Sequence, residues 1–176
     1  MGDLPKNILR AIIFILVQVF ILNKIPPLHQ FITPYLYFLF ILWLPYRTSR
    51  PALTFIGFIY GLSLDYFLKT PGLHAAACCL VAYLRPFVIN ILISKEDSGF
   101  NYTSPAPSSM GWSQYMVYAF VLSLAHNSWL VFLEWLQLKN FLYLTGKIIA
   151  TTGVSFLLIL ITEGLFYRKQ KFKTNI

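Results

Sequence analysis

Charge is what this chain has least of. Of its 176 residues only 6 are Asp or Glu and 14 are Lys or Arg, so charged residues make up 11%. A water-soluble domain carries about 25%, and a chain with less than half of that cannot coat itself for water. Cysteine is almost missing too, since Cys78 and Cys79 stand side by side in an apolar stretch. That excludes a disulfide framework, and two thiols alone do not build a zinc site. They read as small buried residues. No H-E-x-x-H spacing, no Gly-rich phosphate loop and no nucleic-acid motif is present, and no cofactor is expected. What is there is apolar: 57% hydrophobic and 18% aromatic residues, with a mean hydropathy of +0.65. This composition is that of an integral membrane protein, and residues 1–176 make one polytopic domain. The net charge of +8 then points to basic loops facing membrane lipids, not to nucleic acid. The apolar run after Lys6 and Arg10 is too long for a signal-peptide core and lacks an A-x-A-like site, so no cleavable signal is expected.

A membrane helix needs about 20 apolar residues. The runs predict an all-α bundle of about six, at 8–25, 32–45, 51–68, 73–93, 112–136 and 141–167. The first ends at Asn23-Lys24 before Pro26-Pro27, because proline cannot continue a helix. In the second, Thr33 reads as the N-cap and Pro34 as the first helical residue. It is short: at about 1.5 Å per residue it does not cross a core of about 30 Å unaided. Pro51 opens the third, Pro71-Gly72 turns the chain into the fourth, and Pro86 is expected to kink that helix. Residues 94–111 form a Ser/Pro/Gly-rich loop expected in the cytoplasm, where "NYT" is a chance glycosylation pattern. The tail, 168–176, is basic. With six crossings and an inside N-terminus, nine Lys/Arg fall inside (Lys6, Arg10, Arg47, Arg50, Lys95, Arg168, Lys169, Lys171, Lys173) and three outside (Lys24, Lys69, Lys139). That asymmetry follows the positive-inside rule and places both termini in the cytoplasm.

Ionisable residues at membrane depth are costly unless paired. This topology puts Asp65, His74, Glu134 and Lys147 in the outer part of the membrane on four helices. Pairing of Asp65 or Glu134 with Lys147, with His74 nearby, would satisfy them. Arg85 lies deeper and Glu163 near the inner end, so a pair between them needs Arg85 to reach inward along its own stem. Gly57 and Gly61 form a G-xxx-G pattern facing the slender start of the fourth helix, which predicts close packing across the Pro71-Gly72 hairpin. A hydrolase reading of Ser63 with His74 or His126 is weak, because a helical serine bonds back to its own backbone. A metal site from Asp65, His74 and His126 is no stronger, since the histidines are expected at different depths. No enzyme activity is expected.

Two stretches carry a family resemblance: "ITPYLYFLFILWLP" (Ile32–Pro45) and "GFIYGLSLDYFLKTPGLHAAACCLVAYLRPFV" (Gly57–Val88). The chain resembles the rod shape-determining MreD family in its Bacteroidetes form. The resemblance implies a non-enzymatic inner-membrane subunit of the cell-elongation complex that helps organise lateral peptidoglycan synthesis. It implies direct binding to MreC, and through it association with MreB, RodZ, RodA and a class B penicillin-binding transpeptidase. It also implies a fold similar to the substrate-binding subunit of energy-coupling-factor transporters. The alternative is a small-molecule-binding subunit of a transporter. On the first reading Gly57, Gly61, Asp65, Pro71, Gly72, His74, Arg85, Pro86, Glu134 and Lys147 are the residues expected to lock the bundle or receive a partner.

Overall fold

The computed structural model describes residues 4–25, 32–93, 104–134 and 141–166. Among these residues it is helical and has no strand. Helix α1 (Leu4–Leu16) runs on through a π-helical turn (Val17–Ile21) and a 3₁₀ turn (Leu22–Lys24). Helix α2 is only Leu39–Leu42. Helices α3 (Arg50–Leu68) and α4 (Leu73–Leu92) form a hairpin, α5 is the single turn Pro107–Met110, and α6 (Trp112–Glu134) and α7 (Phe141–Leu165) complete the bundle. Five helices are long and apolar enough to cross a membrane: Pro5–Lys24, Arg50–Leu68, Leu73–Leu92, Trp112–Glu134 and Leu142–Leu165. The chain is therefore a multi-pass membrane protein. In the bundle α4 packs against both α3 and α6, and α7 packs against α6.

The helix expected over 32–45 is not there. Residues 32–36 are non-helical, a turn follows, and only Leu39–Leu42 close into one helical turn. Thr33 and Pro34 therefore do not begin a helix. Yet the stretch is the best buried among the described residues, and Tyr37, Phe38, Leu39, Ile41 and Leu42 are wholly enclosed. It also traverses the bundle. Tyr35 meets Glu134 and Ser155, Tyr37 meets His126, Trp43 meets Glu163, and Tyr46 meets Ser109. Along the segment the α6 partner moves from Glu134 to His126 and the α7 partner from Ser155 to Glu163, with Ser109 of α5 last. Length gives the physical reason: non-helical chain covers up to about 3.3 Å per residue against about 1.5 Å in a helix, so a segment too short to traverse the bundle as a helix traverses it largely unwound. Irregular backbone at membrane depth is tolerated only inside protein, which is why the long helices wrap it.

Two ends follow. Arg10, Trp43, Thr162 and Phe166 border one groove, so the start of α1 and the end of α7 share one end of the bundle. Arg50 opens α3 after the chain has traversed to that same end, here called the basic end. The Lys69–Gly72 turn marks the other, the hairpin end. The loop expected over 94–111 is partly folded: α5 lies within it and Ser104, Ala106, Ser109 and Met110 are buried. Ser109 Oγ accepts from the Ala106 N–H at 2.9 Å, closing the turn. Asn101 of the "NYT" pattern, residues 94–103 and the tail 168–176 lie outside the described residues.

Candidate functional site

The α3–α4 hairpin is built around missing side-chain volume. A Cβ on Gly61 would stand 2.5 Å from Ala75 Cα and 2.6 Å from the His74 carbonyl oxygen, and one on Gly57 would stand 2.9 Å from the Cys78 oxygen. Only glycine permits this approach. The turn between the helices uses left-handed backbone at Lys69 (φ 58°) and Gly72 (φ 86°). Gly72 tolerates that conformation freely, whereas Lys69 carries a Cβ there.

Gly72 also has no side chain with which to cap α4, and Asp65 supplies the cap from α3. Its Oδ1 accepts the His74 N–H and its Oδ2 the Ala75 N–H, both at 2.9 Å. These are orphan donors of the first turn, and a carboxylate at a helix N-terminus also suits the helix dipole. Thr70 Oγ1 donates to Oδ1 at 3.0 Å, and His74 Nδ1 lies 2.8 Å from the same oxygen. The carboxylate is 2% exposed and has acceptor capacity for all four contacts. Asp65 and His74 are therefore brought together. Pro71 is exposed in the turn and Pro86 lies inside a continuous α4.

The second cluster holds the buried segment. Five side chains bond directly to the backbone between Pro34 and Leu44. The Gln18 amide works like a peptide group: Nε2 donates to the Pro34 carbonyl at 3.0 Å and Oε1 accepts the Leu36 N–H at 2.9 Å. The π-helical turn over Val17–Ile21 includes Gln18, the one buried residue of that turn. Ser155 Oγ accepts the Tyr35 N–H at 3.0 Å. Tyr60 OH donates to the Tyr37 carbonyl and Tyr118 OH to the Leu42 carbonyl, each at 3.0 Å. Arg85 donates from its terminal nitrogen to the Leu44 carbonyl and from Nε to Tyr118 OH. The chain's own i→i+3 bonds around α2 satisfy Leu36, Tyr37 and Phe38 oxygens. An unmade bond at any of these groups would cost free energy in a dry interior.

A comparison with protein-family models, with curated proteins and with solved structures finds no match. The geometry therefore stands by itself.

Around Tyr35 and Tyr37 the polar groups form two chains. Tyr37 OH lies 2.7 Å from His126 Nε2, His126 Nδ1 lies 3.0 Å from Asn127 Oδ1, and Asn127 Nδ2 donates to Thr152 Oγ1 at 3.3 Å. One consistent order exists with a neutral ring: Tyr37 donates to Nε2, and Nδ1–H donates to Asn127. In the other chain, Lys147 Nζ donates to Glu134 Oε2 at 2.6 Å and Tyr35 OH to Glu134 Oε1 at 3.4 Å. Glu134, not Asp65, takes Lys147.

Two expectations are corrected. His74 and His126 are not at different depths, because both rings border Tyr37, with centroids 5.5 and 5.3 Å from it. The non-helical path of the chain lets one tyrosine reach both helices. Even so, among the described residues no three His, Cys, Asp or Glu side chains group as metal ligands. Arg85 does not pair with Glu163. Its guanidinium is drawn to the Leu44 carbonyl, while Glu163 Oε1 accepts from Trp43 Nε1 and Tyr115 OH. Ser63 donates back to the Ile59 carbonyl at 2.8 Å on an unbroken helix. The residues that sequence reasoning missed are uncharged: Gln18, Tyr60, Tyr118, Asn127 and Ser155. The available signal was a polar group inside each apolar run.

Proposed function

We propose that this chain is a non-enzymatic assembly subunit of the inner membrane, an MreD-like scaffold that presents a rigid surface to MreC in the cell-elongation complex. What supports this reading is the use to which the polar interior is put. Asp65 caps α4, and Gln18, Tyr60, Arg85, Tyr118 and Ser155 hold a backbone in place. Such groups fix one arrangement of helices, as a scaffold requires, and their polar atoms are engaged in doing so. The long block Gly57–Val88, which carries the resemblance, coincides with that hairpin and ends beside Arg85. Through MreC the subunit would work with MreB, RodZ, RodA and the class B transpeptidase. The basic end then faces the cytoplasm by the positive-inside rule, with both termini on that side. The similarity to the substrate-binding subunit of energy-coupling-factor transporters belongs to the same proposal and concerns fold alone.

The test is mild crosslinking in native membranes, followed by purification of the chain and mass spectrometry of what accompanies it. Recovery of MreC with wall synthases is expected. Recovery of paired ATPases with a membrane coupling subunit would overturn the proposal in favour of a solute-binding subunit.

A further inference from the structure

A groove of about 600 Å³ opens between α1 and α7 at the basic end. Ile13, Phe14, Val17, Leu36 and Leu165 supply its apolar wall, and Arg10 and Trp43 stand at its rim. The Arg10 guanidinium lies over the Trp43 ring, 5.7 Å from the centroid, and its terminal nitrogen lies 3.4 Å from Asn7 Oδ1. These contacts set a cation where the wall turns apolar. Lys6 is exposed one turn earlier on the same face of α1. We propose that this groove binds one anionic phospholipid from the leaflet at the basic end, with its phosphate at Arg10 and an acyl chain along Ile13, Val17 and Leu165.

Three observations favour a lipid over a partner helix or a second copy of this chain. The groove lies within two segments long and apolar enough to cross a membrane, where its apolar wall would meet hydrocarbon. It is short: Arg10 to Val17 spans about 10 Å of helix, whereas a packed transmembrane helix would use most of a core of about 30 Å. Among the described residues its one charged lining residue is basic and sits at one mouth of a mostly apolar slot, which matches the polarity of an anionic lipid. Cations between membrane helices at headgroup level recognise such lipids by the same attraction.

The experiment uses the full chain in bilayers of equimolar phosphatidylglycerol and phosphatidylcholine, released gently and weighed intact by native mass spectrometry. One retained phospholipid per chain is expected, with phosphatidylglycerol favoured about fivefold, the selectivity of one interfacial cation. Arg10→Gln is expected to abolish that preference and Arg10→Lys to keep most of it. Val17→Trp, which fills the slot and leaves the cation, is expected to lower retention of either lipid. Arg50→Gln, at the same end on α3, is the control for net charge and is expected to keep the wild-type preference. An unchanged preference in Arg10→Gln, or an equal loss in Arg50→Gln, would overturn the proposal. So would a photocrosslinker at position 13 that attaches to a protein instead of a lipid.

Discussion

At Asp65 one carboxylate gathers two backbone N–H groups, a threonine hydroxyl and a histidine ring. Asp65→Ala leaves the first turn of α4 uncapped inside the membrane. A loss of about 2–4 kcal/mol is expected, since bonds to a charged acceptor are the stronger kind, and a denaturant titration in detergent measures it. Asp65→Asn keeps one acceptor oxygen and is expected to fall between. A second residue-scale prediction compares glycines. At Gly61 a methyl group would overlap Ala75 backbone, whereas at Gly153 nothing stands within 4 Å. Gly61→Ala is expected to cost about 1–3 kcal/mol by prising α3 from α4. Gly153→Ala, in the interior of α7, is expected to be neutral or to add up to about 1 kcal/mol by helix propensity. Equal melting temperatures for the two variants would refute the close-approach account.

At the scale of the element, the decisive piece is the segment over residues 32–45. Gln18→Leu removes the partner of the Leu36 N–H and the Pro34 carbonyl, and is expected to cost about 2–3 kcal/mol through two stranded backbone groups. Amide hydrogen exchange should accelerate first at Tyr35–Tyr37, ahead of the α3–α4 hairpin. Arg85→Lys is expected not to restore stability, because a point ammonium cannot reach Tyr118 OH and the Leu44 carbonyl in the fork geometry of a guanidinium. The long helices were legible in the sequence, because apolar runs bounded by proline and polar turns are a strong signal and membrane length fixes their number of residues. The glycine contact across the hairpin was legible too, from the Gly57–Gly61 spacing beside Pro71-Gly72. The unwound state of 32–45 was not. Its composition, rich in Leu, Phe and Tyr, suits a helix locally, and what holds it open is scattered over α1, α3, α4, α6 and α7. The same dispersion hid Gln18 and Tyr118: an uncharged polar side chain carries little weight in a count of membrane charges, although it must still find a partner. The expected Arg85–Glu163 pair failed for a related reason, since the sequence does not show a backbone carbonyl waiting at Leu44.

At the scale of the whole molecule, the topology turns on whether the unwound segment counts as a crossing. Five long helices alone would put the termini on opposite sides of the membrane. We propose that the buried traverse of 32–45 serves as a sixth crossing, which would bring the start of α1 and the end of α7 to one side of the membrane. Membrane-impermeant thiol labelling of intact and permeabilised cells tests this most directly. Single cysteines would be placed at Lys6, Lys69 and Phe166, in a chain whose Cys78 and Cys79 are alanine. The account predicts that positions 6 and 166 label together from one side and position 69 from the other. Labelling of positions 6 and 166 from opposite sides would mean that residues 32–45 do not cross, and the account would be wrong at its centre.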